Sequence, residues 1–313
     1  MDLPYRTGIR SDRAKIWLLF SVIVGAGALS GLALINTLFF IGLMIGLIIT
    51  VVRYGWRYSF LAAFLSLGLC LFLYGPIIMG GMFFLFILPG MLMGYKARLF
   101  GAPRQILSWG LMAYVIPMFL LIVFYPQLMA NLETLAREMT RQFAAESALL
   151  GIGNADAQTY MESFETVLVW TLKLAPGILI TTFFAFVVFA YLGASAVAPR
   201  FGAILPAMTP FAFWKGHDLW LVPLGLALLL LLIGGSTGRI IGFNIGLFMV
   251  HVYAVFGLAI IEFFLSRTLS LGWPRHFLYM LMILAAVIFI PMLAVIGLLD
   301  SRFDLRKLDE EKT

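Results

Sequence analysis

Three polar side chains recur along one apolar stretch in the C-terminal part of the chain. Residues 242–267 read GFNIGLFMVHVYAVFGLAIIEFFLSR and contain Asn244, His251 and Glu262. Spacings of seven and eleven residues return these side chains to nearly the same helix face, because an α-helix turns by about 100° per residue. Polar groups in a membrane helix face the bundle interior or a wet cavity far more often than lipid. The spacing therefore predicts a polar stripe on an inward face.

Each member of this stripe also has a structural interpretation. The His251 imidazole could hydrogen-bond a neighbouring helix, or it could bind a solute or move a proton. Asn244 could cap the start of its helix. Glu262 could lie at the membrane interface, hydrated by lipid headgroups. The sequence leaves these alternatives open.

A further candidate is Lys173, which lies in the apolar segment TVLVWTLKLAPGILITTFF. Trp170 comes one turn before it and Gly177 one turn after. The long Lys173 side chain could snorkel to the outer surface. Alternatively, its ammonium group projects into an outward-facing cavity and meets an anionic solute. Lys173, His251 and Asn244 are the candidate substrate-binding residues.

The sequence lacks the usual catalytic constellations. It has no HExxH, GxSxG or GxxxxGK[ST] motif and a single cysteine, Cys70. One cysteine excludes an intramolecular disulfide and a cysteine-based metal cluster. The three histidines, His217, His251 and His276, fall at different predicted membrane depths, where they would not share a metal ion. We therefore expect no enzyme activity, no metal site and no cofactor.

The composition indicates a polytopic α-helical membrane protein. Of 313 residues, 63% are hydrophobic and only 12% are charged, whereas soluble domains average about 25% charged residues. Several apolar runs exceed the roughly 18 residues that mark a spanning helix. The alternating pattern of a membrane β-barrel is not seen. The predicted fold class is an all-α bundle of transmembrane helices in contact with the lipid bilayer.

Nine spans fit the apolar runs, at 16–34, 37–53, 58–74, 77–95, 106–127, 165–195, 219–235, 243–265 and 277–298. The chain then divides into an N-terminal five-helix membrane portion, an extracytoplasmic segment, a C-terminal four-helix membrane portion and a charged tail, at 1–127, 128–164, 165–298 and 299–313. The extracytoplasmic segment is predicted to be amphipathic and helical, either a surface connector or a lid. The sixth span is longer than a membrane requires and should project outward or kink at Pro176.

Basic residues predict the orientation. With the N-terminus in the cytoplasm, most Lys and Arg residues fall in cytoplasmic segments, as the positive-inside rule requires. This accounts for the net charge of +6, so nucleic acid is not expected as a partner. Nine spans send the tail outside although it holds four basic residues. Eight or ten spans would place it inside, so the count stays open.

Pairs of small residues recur at four-residue spacing: Ala26 with Ser30, Gly27 with Gly31, Gly42 with Gly46, and Gly90 with Gly94. Such pairs let helix backbones approach closely. The concentration of small residues in GAGALSG predicts that the first helix docks against another helix through Ala26, Gly27, Ser30 and Gly31.

Short motifs are spread along nearly the whole chain. They are RYGWR at 53–57, LPGMLMG at 88–94, PFAFW at 210–214, Asn244 at the opening of a span, FGLA at 256–259 and GLLDSRFDLRK at 297–307. Together they resemble the YybS-like family of predicted bacterial membrane proteins of unknown function. The N-terminal helices of that family are similar to the substrate-binding S components of energy-coupling factor transporters.

This resemblance implies a location and a role. S components capture a small solute from outside the cell and dock on a membrane coupling protein through small residues of the first helix. The chain would then be a multi-pass solute-binding or transport subunit in the cytoplasmic (inner) membrane of a bacterium. S components usually have six spans, whereas about three more are predicted here. The alternative is a non-transporting scaffold that organises another membrane protein.

Overall fold

The structure is a computed structural model that describes residues 36–120, 154–268 and 272–307, together with scattered positions between 123 and 142. Every element along these described residues is helical, which confirms the predicted all-α fold class. The α-helices among them are α1 (Asn36–Tyr54), α2 (Trp56–Tyr74), α3 (Pro76–Met82), α4 (Leu88–Arg98), α5 (Pro103–Met112), α6 (Asn154–Val197), α7 (Leu221–Ile233), α8 (Gly235–Thr268), α9 (Gly272–Leu284) and α10 (Ala286–Phe303).

Several described helices are long and apolar enough to cross a membrane: Trp56–Tyr74, Pro76–Arg98, Thr166–Phe201, Gly235–Arg267 and Ala286–Phe303. Two further apolar helices, Phe39–Tyr54 and Asp218–Ile233, are shorter. The predicted first span at 16–34, with the small residues Ala26, Gly27, Ser30 and Gly31, lies outside the described residues. The protein is therefore a membrane protein with several spans, and the count of nine stays a prediction.

The helices form two compact units. Unit 1 is drawn from Met1–Ile122 and Thr182–Met208, and unit 2 from Val123–Thr181 and Thr209–Thr313. Helix α6 contributes to both units, since the division falls between residues 181 and 182. Its 44 residues give it a length of about 66 Å. A helix longer than a membrane requires was predicted here. The four-part division of the chain drawn from its sequence stays a prediction.

In unit 1, two glycines bring α4 against α1. A Cβ atom added to Gly94 would lie 3.0 Å from the Ile48 carbonyl oxygen, and one added to Gly90 would lie 3.2 Å from Met44 Cα. Either added carbon would meet the backbone of α1. The four-residue spacing of these glycines therefore does mark a close helix contact.

A proline within the Pro76–Arg98 span releases a backbone carbonyl that another element then satisfies. Pro89 has no N–H to donate to the Leu85 carbonyl four residues earlier. The Tyr114 hydroxyl donates to that carbonyl at 2.8 Å, and the Tyr114 ring stacks on Phe183 at 4.3 Å between centroids. Prolines are tolerated in membrane helices where neighbouring groups meet the freed backbone atoms in this way.

The same span also contains an irregular turn. Between α3 and α4, residues Phe83–Ile87 form a π-helical turn.

Two predicted spans are not single helices. The span predicted at 106–127 breaks at residues 113–114, where α5 ends and a turn precedes further helical residues from 115. Pro117 cannot donate to the carbonyl of Ala113, which accounts for the break. The span predicted at 277–298 is divided at Ala285, which separates α9 from α10.

In unit 2, α8 packs most closely against α10. A Cβ atom added to Gly257 would overlap the Leu293 carbonyl, and one added to Gly297 would overlap the Tyr253 carbonyl. The two helix backbones are therefore nearly in contact where these glycines face each other. Met249, Tyr253, Met282 and Leu293 build a buried apolar core around this contact.

Candidate functional site

Asn244 joins α8 to α6 through the backbone beside Pro176. Its Oδ1 accepts a hydrogen bond from the Gly177 N–H at 2.6 Å, and its Nδ2 donates to the Lys173 carbonyl at 2.9 Å. Nδ2 also donates to the Ile240 carbonyl of its own helix at 2.8 Å. Because α8 begins at Gly235, the prediction that Asn244 caps the helix start is wrong. Asn244 instead holds two helices together.

The other two residues of the predicted stripe are also hydrogen-bonded to protein groups. The His251 Nδ1 lies 2.8 Å from the Leu247 carbonyl, one turn earlier in the same helix. Glu262 accepts a hydrogen bond from the Tyr279 hydroxyl of α9. Both side chains are half-buried. Glu262 thus has a specific protein partner beyond any hydration by headgroups.

Lys173 lines an open cleft of about 570 Å³ in unit 2. The cleft is formed by side chains of α6, α7 and α8, namely Trp170, Lys173, Leu231, Ser236, Arg239, Ile240 and Phe243. Its volume falls within the range of about 300 to 1,000 Å³ that is typical of small-molecule sites. Neither Asn244 nor His251 is among the lining residues.

The cleft pairs two cations with two aromatic rings. The Lys173 ammonium lies 5.4 Å from the centroid of the Trp170 ring, and that ring meets Phe243 edge to face at 5.8 Å. Arg239 adds a guanidinium group, and Ser236 adds a hydroxyl. None of these lining residues carries a carboxylate, so their formal charge is +2. The arrangement is suited chemically to an anion that carries an apolar or aromatic part.

The sequence prediction missed Arg239. Residues between 235 and 243 were predicted to form a loop, whereas they are the first turns of α8. Arg239 and Phe243 are four residues apart on that helix and therefore share a face. Trp170 and Lys173 are three residues apart on α6, which also places them on one face and was visible in the sequence, but the pairing of the two helices was not.

A buried ion pair lies near the other end of α8. Arg306 is bonded to Asp300 at 2.7 Å between Nη2 and Oδ2, and the two side chains are 0% and 1% exposed. Arg306 also donates to the carbonyls of Ala212 and Trp214. Its guanidinium lies 5.9 Å from the Phe263 ring, whereas Arg239 lies 24 residues earlier in α8, about 36 Å along the helix.

A family model described as "Predicted membrane protein (DUF2232)" matches residues 18–301. No curated protein and no solved structure matches the chain. The family match covers most of the sequence and both units, and its description assigns neither a substrate nor a reaction.

Proposed function

The chain belongs to the DUF2232 family of predicted membrane proteins, and we propose that within the membrane it binds a small anionic solute, as a binding or transport subunit. The observation that carries this proposal is the placement of Lys173 and Arg239 in one cleft. Two cations without a lining carboxylate attract an anion. Trp170 and Phe243 would contact the apolar part of the same molecule.

The charge distribution supports an outer location for this cleft. At the opposite end of α8, unit 2 carries Lys215, Arg267 and Arg306. The positive-inside rule assigns that end to the cytoplasm. The cleft, about one membrane thickness away along α8, would then open outside, where a solute would enter it.

The finer form of the proposal is an S-component-like role in the inner membrane of a bacterium, with the N-terminus in the cytoplasm and no catalytic activity. It is supported by the sequence motifs that resemble the YybS-like family. The coupling protein would meet the small residues Ala26, Gly27, Ser30 and Gly31 of the first predicted helix.

A second candidate is a non-transporting scaffold for another membrane protein. It is favoured by the hydrogen bonds of Asn244, His251 and Glu262, which all engage protein groups. The polar residues of a scaffold should pair with protein groups within the bundle. The cleft at Lys173 is what favours solute binding over this alternative.

The test is mild purification followed by native mass spectrometry of co-purifying small molecules and proteins. Lys173→Gln and Arg239→Gln should each lower the retained anion at least about tenfold, because a hydrogen bond to a charged group contributes about 1.5 to 3 kcal/mol. Arg267→Gln, at the other end of α8, is the matched control and should retain the anion. Equal retention in all variants overturns the assignment, and an empty protein with one stoichiometric partner favours the scaffold.

A further inference from the structure

The described residues of unit 1 carry formal charges of one sign. Its described residues include no Asp or Glu and six cationic residues: Arg53, Arg57, Lys96, Arg98, Arg104 and Arg200. The formal charges along these described residues are therefore all positive, which favours an anionic ligand at any surface where they gather.

Contacts bring these cations to one end of unit 1. Arg98 Nη1 donates to the Val51 carbonyl at 3.3 Å, and its guanidinium lies against Gly55, at the junction of α1 and α2. Arg53 reaches Gly202, where an added Cβ atom would lie 3.4 Å from the guanidinium carbon. Arg57 lies two residues after Gly55, Arg200 lies two residues before Gly202, and Arg104 lies in the first turn of α5.

Aromatic rings lie among the cations. The Tyr95 ring lies 5.9 Å from Trp56 and 6.0 Å from Trp109, and the Lys96 ammonium lies 5.8 Å from the Trp109 centroid. Trp56 and Tyr95 are 40% and 41% exposed. Trp and Tyr concentrate at the headgroup level of membranes, where one part of the ring meets lipid tails and the polar atom meets water.

An apolar tip projects from the same end, between α4 and α5. Leu99 and Phe100 are 57% and 64% exposed. Phe100 has φ of 56°, a left-handed conformation that bulky residues rarely adopt. The chain thus holds two large apolar side chains outward, flanked by Arg98 and Arg104. Such a tip is stabilised by insertion among acyl chains.

We propose that this basic end of unit 1, formed by Arg53, Arg57, Lys96, Arg98, Arg104 and Arg200 with their aromatic neighbours, binds the phosphate groups of anionic phospholipids. The charge is complementary, because guanidinium groups bind phosphate oxygens through paired N–H donors. The exposed Leu99 and Phe100 favour a lipid over an acidic protein, since a lipid supplies both a phosphate and a hydrocarbon chain. The protein would therefore retain anionic lipids in preference to zwitterionic ones.

The test uses the full-length protein in nanodiscs with equal parts phosphatidylglycerol and phosphatidylcholine. Native mass spectrometry after release counts the retained lipids of each kind. The lipids retained by the wild-type protein should be enriched in phosphatidylglycerol over phosphatidylcholine. The double variant Arg57→Gln/Arg104→Gln should lower that enrichment at least about fivefold, since each basic side chain near an anionic surface contributes about 1 kcal/mol.

Two matched variants keep the test independent of folding and of the cleft in unit 2. Arg57→Lys/Arg104→Lys keeps both charges and should keep most of the enrichment. Lys173→Gln/Arg239→Gln removes two charges from unit 2 and should leave it unchanged. An enrichment that survives Arg57→Gln/Arg104→Gln, or that falls equally in the unit 2 variant, overturns the proposal. Stoichiometric capture of an acidic protein without lipid enrichment also overturns it.

Discussion

The side-chain amide of Asn244 bridges the Gly177 N–H and the Lys173 carbonyl, at 2.6 and 2.9 Å. In an uninterrupted α-helix these two backbone groups pair with each other, because they are four residues apart. Pro176 lies immediately before Gly177, where the hydrogen-bond ladder of α6 loses a donor. A residue predicted to bind substrate thus has a structural role at a proline in a neighbouring helix.

Asn244→Ala should destabilise the protein. The change removes both interhelical hydrogen bonds at once, so we expect the free energy of unfolding to fall by about 1 to 3 kcal/mol. Unfolding of the purified protein in mixed detergent micelles measures this. Asn244→Asp keeps an acceptor for Gly177 and loses the donor to Lys173, and it should also be destabilised. A wild-type unfolding curve for Asn244→Ala would contradict the bridge.

Gly177→Ala should also be destabilising, for a steric reason. An added Cβ atom would lie 2.8 Å from the backbone oxygen of Asn244, so α6 and α8 would have to separate. Gly246→Ala is the control, since its added Cβ atom meets nothing within 4 Å. The midpoint of thermal unfolding should be lower for Gly177→Ala than for the wild type and unchanged for Gly246→Ala. Equal midpoints would show that the two helices do not approach so closely.

Tyr114→Phe should lower stability by about 1 to 2 kcal/mol. The change keeps the ring stacked on Phe183 and removes the hydroxyl that donates to the Leu85 carbonyl. Pro89 has no N–H to donate to that carbonyl, so the carbonyl would lose its donor. Tyr253→Phe is the matched control, because the buried Tyr253 hydroxyl has no hydrogen-bond partner among the residues that the structure describes. It should be neutral or stabilising in the same unfolding assay. A larger loss for Tyr253→Phe than for Tyr114→Phe would reverse this assignment.

Asp300→Asn should be strongly destabilising. It leaves Arg306 buried without a countercharge, and breaking one partner of a buried pair costs about 3 to 5 kcal/mol. Lys215→Met removes the more accessible pair with Asp304, whose side chains are each 21% exposed, and should cost about 1 kcal/mol or less. Unfolding curves of the two variants compare the pairs directly. Similar losses in the free energy of unfolding would mean that the burial of Arg306 does not increase the cost of removing its partner.

The side of the membrane on which the tail lies can be tested by labelling. Arg306 bonds the carbonyls of Ala212 and Trp214, so the start of the tail should share a side with that segment. In a Cys70→Ser background, single cysteines at Thr209→Cys and Arg302→Cys should react with an impermeant maleimide from the same side. Labelling from opposite sides would support the nine-span arrangement, which sends the tail outside.

Local patterns in the sequence were sufficient for the class of protein and for some helix contacts. Composition and long apolar runs predict membrane helices, because hydrocarbon excludes charge irrespective of tertiary packing. The spacing of Gly90 and Gly94 likewise predicts a close helix contact that the structure contains. Lys173 was a candidate binding residue because an ionisable group in an apolar run is rare, and that role stays a prediction.

The partners of polar residues were not predictable in the same way. The spacing of Asn244, His251 and Glu262 describes one helix, whereas their partners are set by which helices pack together. Pro176 and Asn244 are 68 residues apart, and neither position indicates the other in a single sequence. Arg239 was missed because glycines and a serine between 234 and 238 favoured a loop, although the helix already begins at Gly235.

The π-helical turn at Phe83–Ile87 determines which side of the span Pro76–Arg98 faces α1. Such a turn accommodates one surplus residue, and each residue rotates an α-helix by about 100°. A helical wheel drawn at constant pitch through the span would therefore assign Gly90 and Gly94 to a different azimuth from the one they occupy against Met44 and Ile48. This single irregularity sets the phase between the two halves of the span.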